Sequence, residues 1–368
     1  QLVRFAASYY QRSLGEVALA ALPPQLRDLS TLQLGRRLKR HAKSAGGGAS
    51  ESGSARTPDS VALTPEQTGA IARIEAEPGP FVLFGTTGSG KTEVYLHTVQ
   101  QLLAANPDAQ ALVMVPEINL TPQLEARFSE RFAPLYGEHA VVALHSGMTP
   151  AQRLKSWLGA HSGTARIVLG TRMAVFASMP GLQLIVVDEE HDPSYKQQEG
   201  ARYSARDLAV YRGRLENAKV LLGSATPSLE SWHHSRPAAE GGRYVRLHMP
   251  SRVGASSQVR LTTDGIATPG GGLPLVRRVD TTHHPHTRAL SPPLPTALAQ
   301  RIEKGEQCMV FLNRRGYAPV LHCADCDWKS ECQFCSAFRV FHKIDRTLRC
   351  HHCGYTERVP RACPACGN

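Results

Sequence analysis

The stretch Gly85-Thr86-Thr87-Gly88-Ser89-Gly90-Lys91-Thr92 combines residue types and a spacing suited to holding a polyphosphate. Glycines at 85, 88 and 90 let the backbone curl, so that successive N–H groups converge on one anion without clashes from Cβ atoms. Lys91 supplies positive charge for the β- and γ-phosphates, and Thr92 a hydroxyl ligand for Mg²⁺. Gly85, Gly88, Ser89, Gly90, Lys91 and Thr92 are therefore the expected ATP contacts.

A second constellation is Ile185-Val186-Val187-Asp188-Glu189-Glu190-His191. An apolar run that ends in Asp188 puts one carboxylate where it can hold the Mg²⁺ shell. Glu189, one residue on, is placed to orient the attacking water as general base. Lys91, Asp188 and Glu189 are the expected catalytic set.

The third is metal-ligating. Eight of the nine cysteines form four C-x-x-C pairs, at Cys323/Cys326, Cys332/Cys335, Cys350/Cys353 and Cys363/Cys366. Two pairs per ion make two closed tetrahedral Cys₄ sites, which suit structural Zn²⁺ better than iron–sulfur clusters. Three pairings are open. The 14-residue gap between the second and third pairs favours a nested arrangement, with Cys332, Cys335, Cys350 and Cys353 on one ion and the outer four on the other. His322, His342, His351 and His352 read as polar surface, and Cys308 as a thiol in an apolar strand.

These residues need a frame. Short apolar runs at 81–84, 111–115, 141–144, 166–169, 184–187 and 219–222 alternate with helical segments at 92–103, 120–132, 151–160 and 205–216. That alternation predicts a parallel sheet covered on both faces, an α/β nucleotide-binding lobe. Helical spacing also runs from Phe5 to Leu22 and breaks at Pro23-Pro24. The basic run Arg36, Arg37, Lys39, Arg40 and Lys43 fits either phosphate contact or a solvated linker flank. Residues 44–60 read as flexible linker and 236–293 as irregular connection. A helix at 294–303 and a strand at 308–312 mark the expected start of a second lobe.

The 368 residues are 42% hydrophobic and carry a formal net charge of +11, which favours a polyanionic partner. Two Cys₄ zinc sites would lower that to about +7. No apolar run approaches the ~18–20 residues of a membrane span. Paired cysteine spacing argues for metal in a reducing compartment over a secreted disulfide framework.

Further segments carry a resemblance. The chain resembles superfamily 2 DNA helicases, most closely the PriA family of primosomal replication-restart helicases, over nearly its whole length outside the linker and residues 254–285. The resemblance rests on Leu63-Thr-Pro-Glu-Gln67, Val115-Pro-Glu117 through Gln123, His145-Ser-Gly147, Gly170-Thr171-Arg172, Asp192 through Asp207, Gly223-Ser224-Ala225-Thr226 and Phe311-Leu-Asn313-Arg314-Arg315-Gly316. It implies a RecA-like lobe, the start of a second such lobe and an inserted double zinc module with the same nesting. It implies that Gln67 reads adenine. It also implies that Thr121, Arg172, Tyr195, Lys196, Arg202, Tyr203, Arg206, Ser224, Thr226, Arg314 and Arg315 contact DNA or couple hydrolysis to its movement. Tyrosines beside basic residues suit base stacking with phosphate contact. Ala201 stands where relatives often carry an aromatic ring.

The implied organisation is 1–34 as the end of an N-terminal DNA-binding domain and 35–60 as basic, Gly/Ser-rich linker. The ATP-binding lobe follows at 61–235, the connection at 236–293, the start of the second lobe at 294–320 and the zinc module at 321–368. The chain reads as a piece lacking both ends. The implied activity is ATP-dependent 3′-to-5′ unwinding that restarts stalled forks, with ATP, Mg²⁺ and two Zn²⁺. Implied partners are forked and single-stranded DNA, primosome proteins, single-stranded-DNA-binding protein and the replicative-helicase loading machinery, in the bacterial cytoplasm at the nucleoid.

Overall fold

The computed structural model describes residues 1–26, 29–46, 62–116, 121–253, 260–261, 267–268, 293–310, 320–335, 337–351 and 353–368. They fall into two compact units, Gln1–Pro274 and Leu275–Asn368.

The first unit is built on a seven-stranded sheet. Its strands are β1 (Phe81–Gly85), β2 (Gln110–Met114), β3 (Val141–Leu144), β4 (Ile167–Gly170), β5 (Leu182–Val187), β6 (Lys219–Ser224) and β7 (Val245–Met249), in the order β3-β4-β2-β5-β6-β1-β7. Every pairing is parallel. Strands buried on both faces read as continuous apolar runs, which is why the sequence signalled six of them. Alternate residues feed two cores. Leu112, Met114, Ile185 and Val187 face one, and Ala111, Val113, Leu184 and Val186 the other.

The helices among the described residues are α1 (Leu2–Tyr9), α2 (Leu14–Ala21), α3 (Thr31–Gly46), α4 (Pro65–Ala76), α5 (Lys91–Ala105), α6 (Thr121–Tyr136), α7 (Pro150–Ser162), α8 (Ala205–Glu216), α9 (Leu229–His234) and α10 (Pro293–Glu303). The last belongs to the second unit. In the first unit α1 and α8 cover one sheet face, and α4, α5 and α6 the other. Capping boxes at Thr64/Gln67 and Thr149/Gln152 fix where α4 and α7 begin.

Several boundaries differ from expectation. The helical stretch from Phe5 to Leu22 is two helices, parted where Gln11 turns through φ +55° and Ser13 caps α2. Leu2, Ala6, Ala7 and Val17 are buried in the sheet's own core, and Phe5 stacks on Tyr211 of α8 at 3.5 Å. Residues 1–26 thus share the core of the expected ATP-binding lobe. The expected linker boundary at 34/35 falls inside α3, because Leu34 and Leu38 have an apolar partner in Leu154, Trp157 and Leu158 of α7. β7 lies within the expected irregular connection and pairs with β1. As an edge strand it buries Leu247 and Met249 and leaves His248 exposed, so its alternation is short. A two-residue ladder, β8 (Arg260–Leu261) with β9 (Ala267–Thr268), follows.

In the second unit, residues 308–310 form no strand. Cys308 is exposed rather than a core thiol, and Met309 is 92% exposed. A strand needs a hydrogen-bonded neighbour, and no described residue pairs with this stretch. The expected Arg314-Arg315 contact lies outside the described residues. The cysteine-rich end carries an antiparallel sheet of β10 (Val340–His342), β11 (Thr347–Arg349) and β12 (Thr356–Arg358).

Candidate functional site

Because the main sheet is parallel, the loops after all seven strands emerge on one edge, the usual ligand edge of open α/β sheets. The loop after β1 turns through Gly88 at φ +85° and Gly90 at φ +79° into α5. A Cβ on Gly90 would sit 2.2 Å from the Gln67 amide nitrogen. That side chain, 3% exposed, accepts from Thr64 N–H at 2.8 Å and donates to the Ser89 and Gly90 carbonyls at 3.3 Å each. Gln67 therefore reaches the loop from α4, with its amide engaged by protein.

Lys91 Nζ donates to the Gly85 carbonyl at 3.0 Å and lies 3.8 Å from Glu189 Oε1. The buried Ser89 hydroxyl has no hydrogen-bond partner among the described residues. A lysine turned inward onto its own loop, beside an unsatisfied hydroxyl, fits a cradle that a phosphate group completes. The segment beyond β7 braces it, with Val253 N–H donating to the Gly88 carbonyl at 3.0 Å and Thr86 Oγ1 to the Pro250 carbonyl at 3.2 Å. Residues 249–253 were not anticipated as part of the site. The alternation Val245-Arg-Leu-His-Met249 was the available signal.

Asp188 directly follows β5, and its Oδ1 accepts from the fully buried Tyr95 hydroxyl at 2.9 Å. Burial pushes the Asp188 carboxyl above its ordinary range, against the lowering effect of the Tyr95 hydrogen bond and Lys91. The same burial pushes the Tyr95 phenol well up. Glu189 sits at φ +44°, a left-handed backbone uncommon outside glycine that marks local strain. Its carboxylate lies between Lys91 and His191, whose Nδ1 is 3.6 Å from Oε2. His191 Nδ1 also pairs with Ser224 Oγ at 2.8 Å, and that oxygen accepts from Thr226 N–H at 2.9 Å. The acidic loop and the loop after β6 are thus tied side by side. The expected nucleotide residues and the expected coupling pair meet in one place.

Glu190 was not anticipated. It is 1% exposed and accepts from Ser228 N–H (2.7 Å), Ser228 Oγ (3.0 Å), Ser231 Oγ (2.9 Å) and Arg206 Nη1 (3.4 Å). Arg206 also pairs with Asp207, so its guanidinium is held by carboxylates of this unit. The tyrosines are held by the protein as well. Tyr195 and Tyr203 are 2% and 6% exposed. Tyr195 donates to the Asp188 carbonyl at 2.7 Å, and Tyr203 packs edge-on to Phe176. Rings buried in this way offer no face to a base. Their large apolar area fills the core under the loop instead.

Arg172 donates to the Ser194 and Lys196 carbonyls at 2.7 and 3.2 Å, holding the 192–204 loop. Lys196, Arg202 and Thr226 are exposed, with the Lys196 ammonium 5.2 Å from the centre of the Tyr10 ring. Thr121 opens α6, and its side chain lies outside the described residues. A cavity of about 600 Å³ opens among Pro116, Ser146, Thr171, Arg172 and Ala201, walled by Val17 of α2. The small side chain of Ala201 leaves that space open.

The nesting of the cysteines is as expected. Cys323, Cys326, Cys363 and Cys366 form one cluster and Cys332, Cys335, Cys350 and Cys353 the other, with the sulfurs of each within 4.8 Å of one another. Facing pairs are 3.7, 3.5, 3.5 and 3.4 Å apart. Tetrahedral Zn²⁺ with Zn–S of about 2.3 Å needs sulfurs about 3.8 Å apart, so both donor sets fit Zn²⁺. Asp327, Gly354 and Gly367, each directly after a C-x-x-C pair, adopt φ +59°, +81° and +80°. Each donates its N–H to the carbonyl of the first cysteine of its pair, closing the knuckle.

Comparison with known proteins agrees with this layout. The DEAD/DEAH box helicase family model matches residues 64–234, and the model of the PriA DNA helicase Cys-rich region matches residues 332–358. The replication restart protein PriA of Haemophilus influenzae is 42% identical over 288 residues, 78% of this chain and 36% of that protein. The Rickettsia prowazekii PriA is 33% identical over all 368 residues, half of its own length. The chain thus spans between about a third and a half of these relatives. Among solved structures, RecG bound to a three-way DNA junction is 22% identical over 61% of this chain and 27% of RecG, with a TM-score of 0.40.

Proposed function

We propose that this chain, a relative of the replication restart protein PriA, carries the nucleotide-driven part of a DNA helicase that acts in replication restart. The observation that supports the reading most directly is the convergence of Lys91, Asp188, Glu189, His191 and Ser224 on one sheet edge. On nucleotide binding, Lys91 exchanges the Gly85 carbonyl and Glu189 for phosphate oxygens. Thr92 and Asp188 would hold Mg²⁺, which would supply neutralisation of charge on the phosphates. Glu189, released from Lys91, accepts a proton from the water that attacks the γ-phosphorus as its bond to the β–γ bridging oxygen breaks and the nucleoside diphosphate leaves. Gln67 reads adenine by exchanging its bonds to the loop carbonyls. The exposed Lys196, Arg202 and Thr226, with Thr121 and Arg314-Arg315, are the proposed DNA contacts.

Unwinding 3′ to 5′, action on forked and single-stranded DNA and a place in the bacterial cytoplasm at the nucleoid complete the proposal. So does work with primosome proteins, single-stranded-DNA-binding protein and the helicase-loading machinery. ATP hydrolysis and unwinding of a forked duplex test it, measured on this chain and on a form as long as the relatives. Fork-stimulated turnover in the longer form, lost in Lys91→Ala, is expected. Absence of DNA-stimulated turnover in both forms sinks the motor reading and leaves a nucleotide-binding zinc scaffold.

A further inference from the structure

The helix α3 is a specified element. Ser30 and Gln33 cap it reciprocally, with Ser30 N–H donating to Gln33 Oε1 at 3.0 Å and Gln33 N–H to Ser30 Oγ at 3.2 Å. Leu34 and Leu38, one turn apart on the same stripe, pack on Leu154, Trp157 and Leu158 of α7. That contact fixes which side of the helix faces away from the protein. Arg36, Arg37 and Lys39 lie off the stripe and are exposed. Arg40 and Lys43 continue the basic run along the same helix, and no Asp or Glu occurs between Asp28 and Glu51. A basic amphipathic helix whose apolar stripe is free reads as a membrane-surface element. Here that stripe is already occupied by α7, and what remains is a row of cations that makes no ion pair among the described residues.

We infer that the outward face of α3 is a docking surface for the phosphate backbone of duplex DNA. The inference rests on the DNA-helicase reading above and adds a second place where nucleic acid is held. Its position selects the duplex. α7 leaves the motif-bearing sheet edge at Thr149, and Trp157 lies eight residues further, about 12 Å along the helix. A single strand laid along the strand-end loops stays at that edge. A duplex carries two phosphate rows across a major groove about 12 Å wide, so on this reading one row meets α3 and the other the strand-end edge. Contacts from Arg and Lys to phosphates release counterions and are read directly in the salt dependence of binding.

The test titrates this chain with fluorescein-labelled duplex and single-stranded DNA by anisotropy, between about 50 and about 200 mM salt. The triple variant Arg36→Gln/Arg37→Gln/Lys39→Gln keeps helix propensity. It is expected to bind duplex about tenfold or more weakly at low salt, with the log–log salt slope reduced by about 2 to 3. Single-strand affinity stays within about twofold. A second variant, Arg36→Lys/Arg37→Lys, preserves charge and is expected to bind duplex as the parent does. Unchanged duplex affinity and slope in the glutamine variant overturn the inference. So does an equal loss for single strands, or a loss seen only on phosphatidylserine vesicles. Those outcomes leave the Lys91-dependent turnover untouched, so failure of the docking surface and failure of the motor reading are separable.

Discussion

The two units hold their functional residues by opposite means. In Gln1–Pro274 a parallel sheet with apolar faces buries Phe81, Leu112, Ile167 and Ile185 completely. The nucleotide loops sit on the edge of that preformed slab. Among the described residues of the cysteine-rich end few are buried, chiefly Ser330, Cys332, Arg339, Leu348 and Cys350. Three strands of three residues each cannot bury enough apolar surface to offset chain entropy, so ligation of the thiolates must supply the difference. One region positions chemistry by packing, and the other uses chemistry to create its packing.

The sharpest way to break that comparison is to remove metal. Chelation, or Cys332→Ser with Cys350→Ser, is expected to unfold the cysteine-rich end, a loss on the order of 10 kcal/mol of metal-linked folding energy. The first unit's melting transition should stay in place, read by limited proteolysis and near-UV circular dichroism. A joint collapse would show that the two regions are not held independently.

Next in size is the buried joint at Glu190. Replacing it with Ala removes the acceptor shared by Arg206 and two serine hydroxyls inside the first unit, while Arg206 keeps Asp207. That is expected to cost about 1 to 3 kcal/mol in denaturant unfolding. A loss below about 1 kcal/mol would mean that packing alone holds this corner. Lys91→Ala should spare stability and lower fork-stimulated ATP turnover in the full-length form by about 10²- to 10³-fold.

The smallest effect concerns pH. Burial raises the Asp188 carboxyl, so it keeps its proton to higher pH than an exposed aspartate. Mg²⁺–nucleotide affinity is expected to weaken on acidification earlier than an ordinary carboxylate would allow. The sign for folding is opposite: ionising Asp188 costs stability as pH rises through its folded-state value. Calorimetric titration of Mg²⁺–nucleotide against pH reads the first effect, and Asp188→Asn should flatten it.

The sequence by itself determined the elements whose signals are local. The glycines and Lys91 of the phosphate loop, the apolar runs of β1 to β6 and the C-x-x-C pairs prescribe their structures over a few residues, because backbone freedom, strand burial and thiolate geometry act at short range. Cysteine spacing favoured the nesting that the structure adopts. Tertiary structure decided what depends on a distant partner. β7 became a strand because β1 had a free edge, and α3 extends into the supposed linker because α7 offers an apolar seat. Tyr195, Tyr203 and Arg206 look in sequence like residues awaiting DNA, yet they are claimed by the Asp188 carbonyl, Phe176 and Glu190. Residue type reports which contacts a side chain is able to make. Only the packed fold, where burial strengthens some of those contacts and excludes others, selects among them.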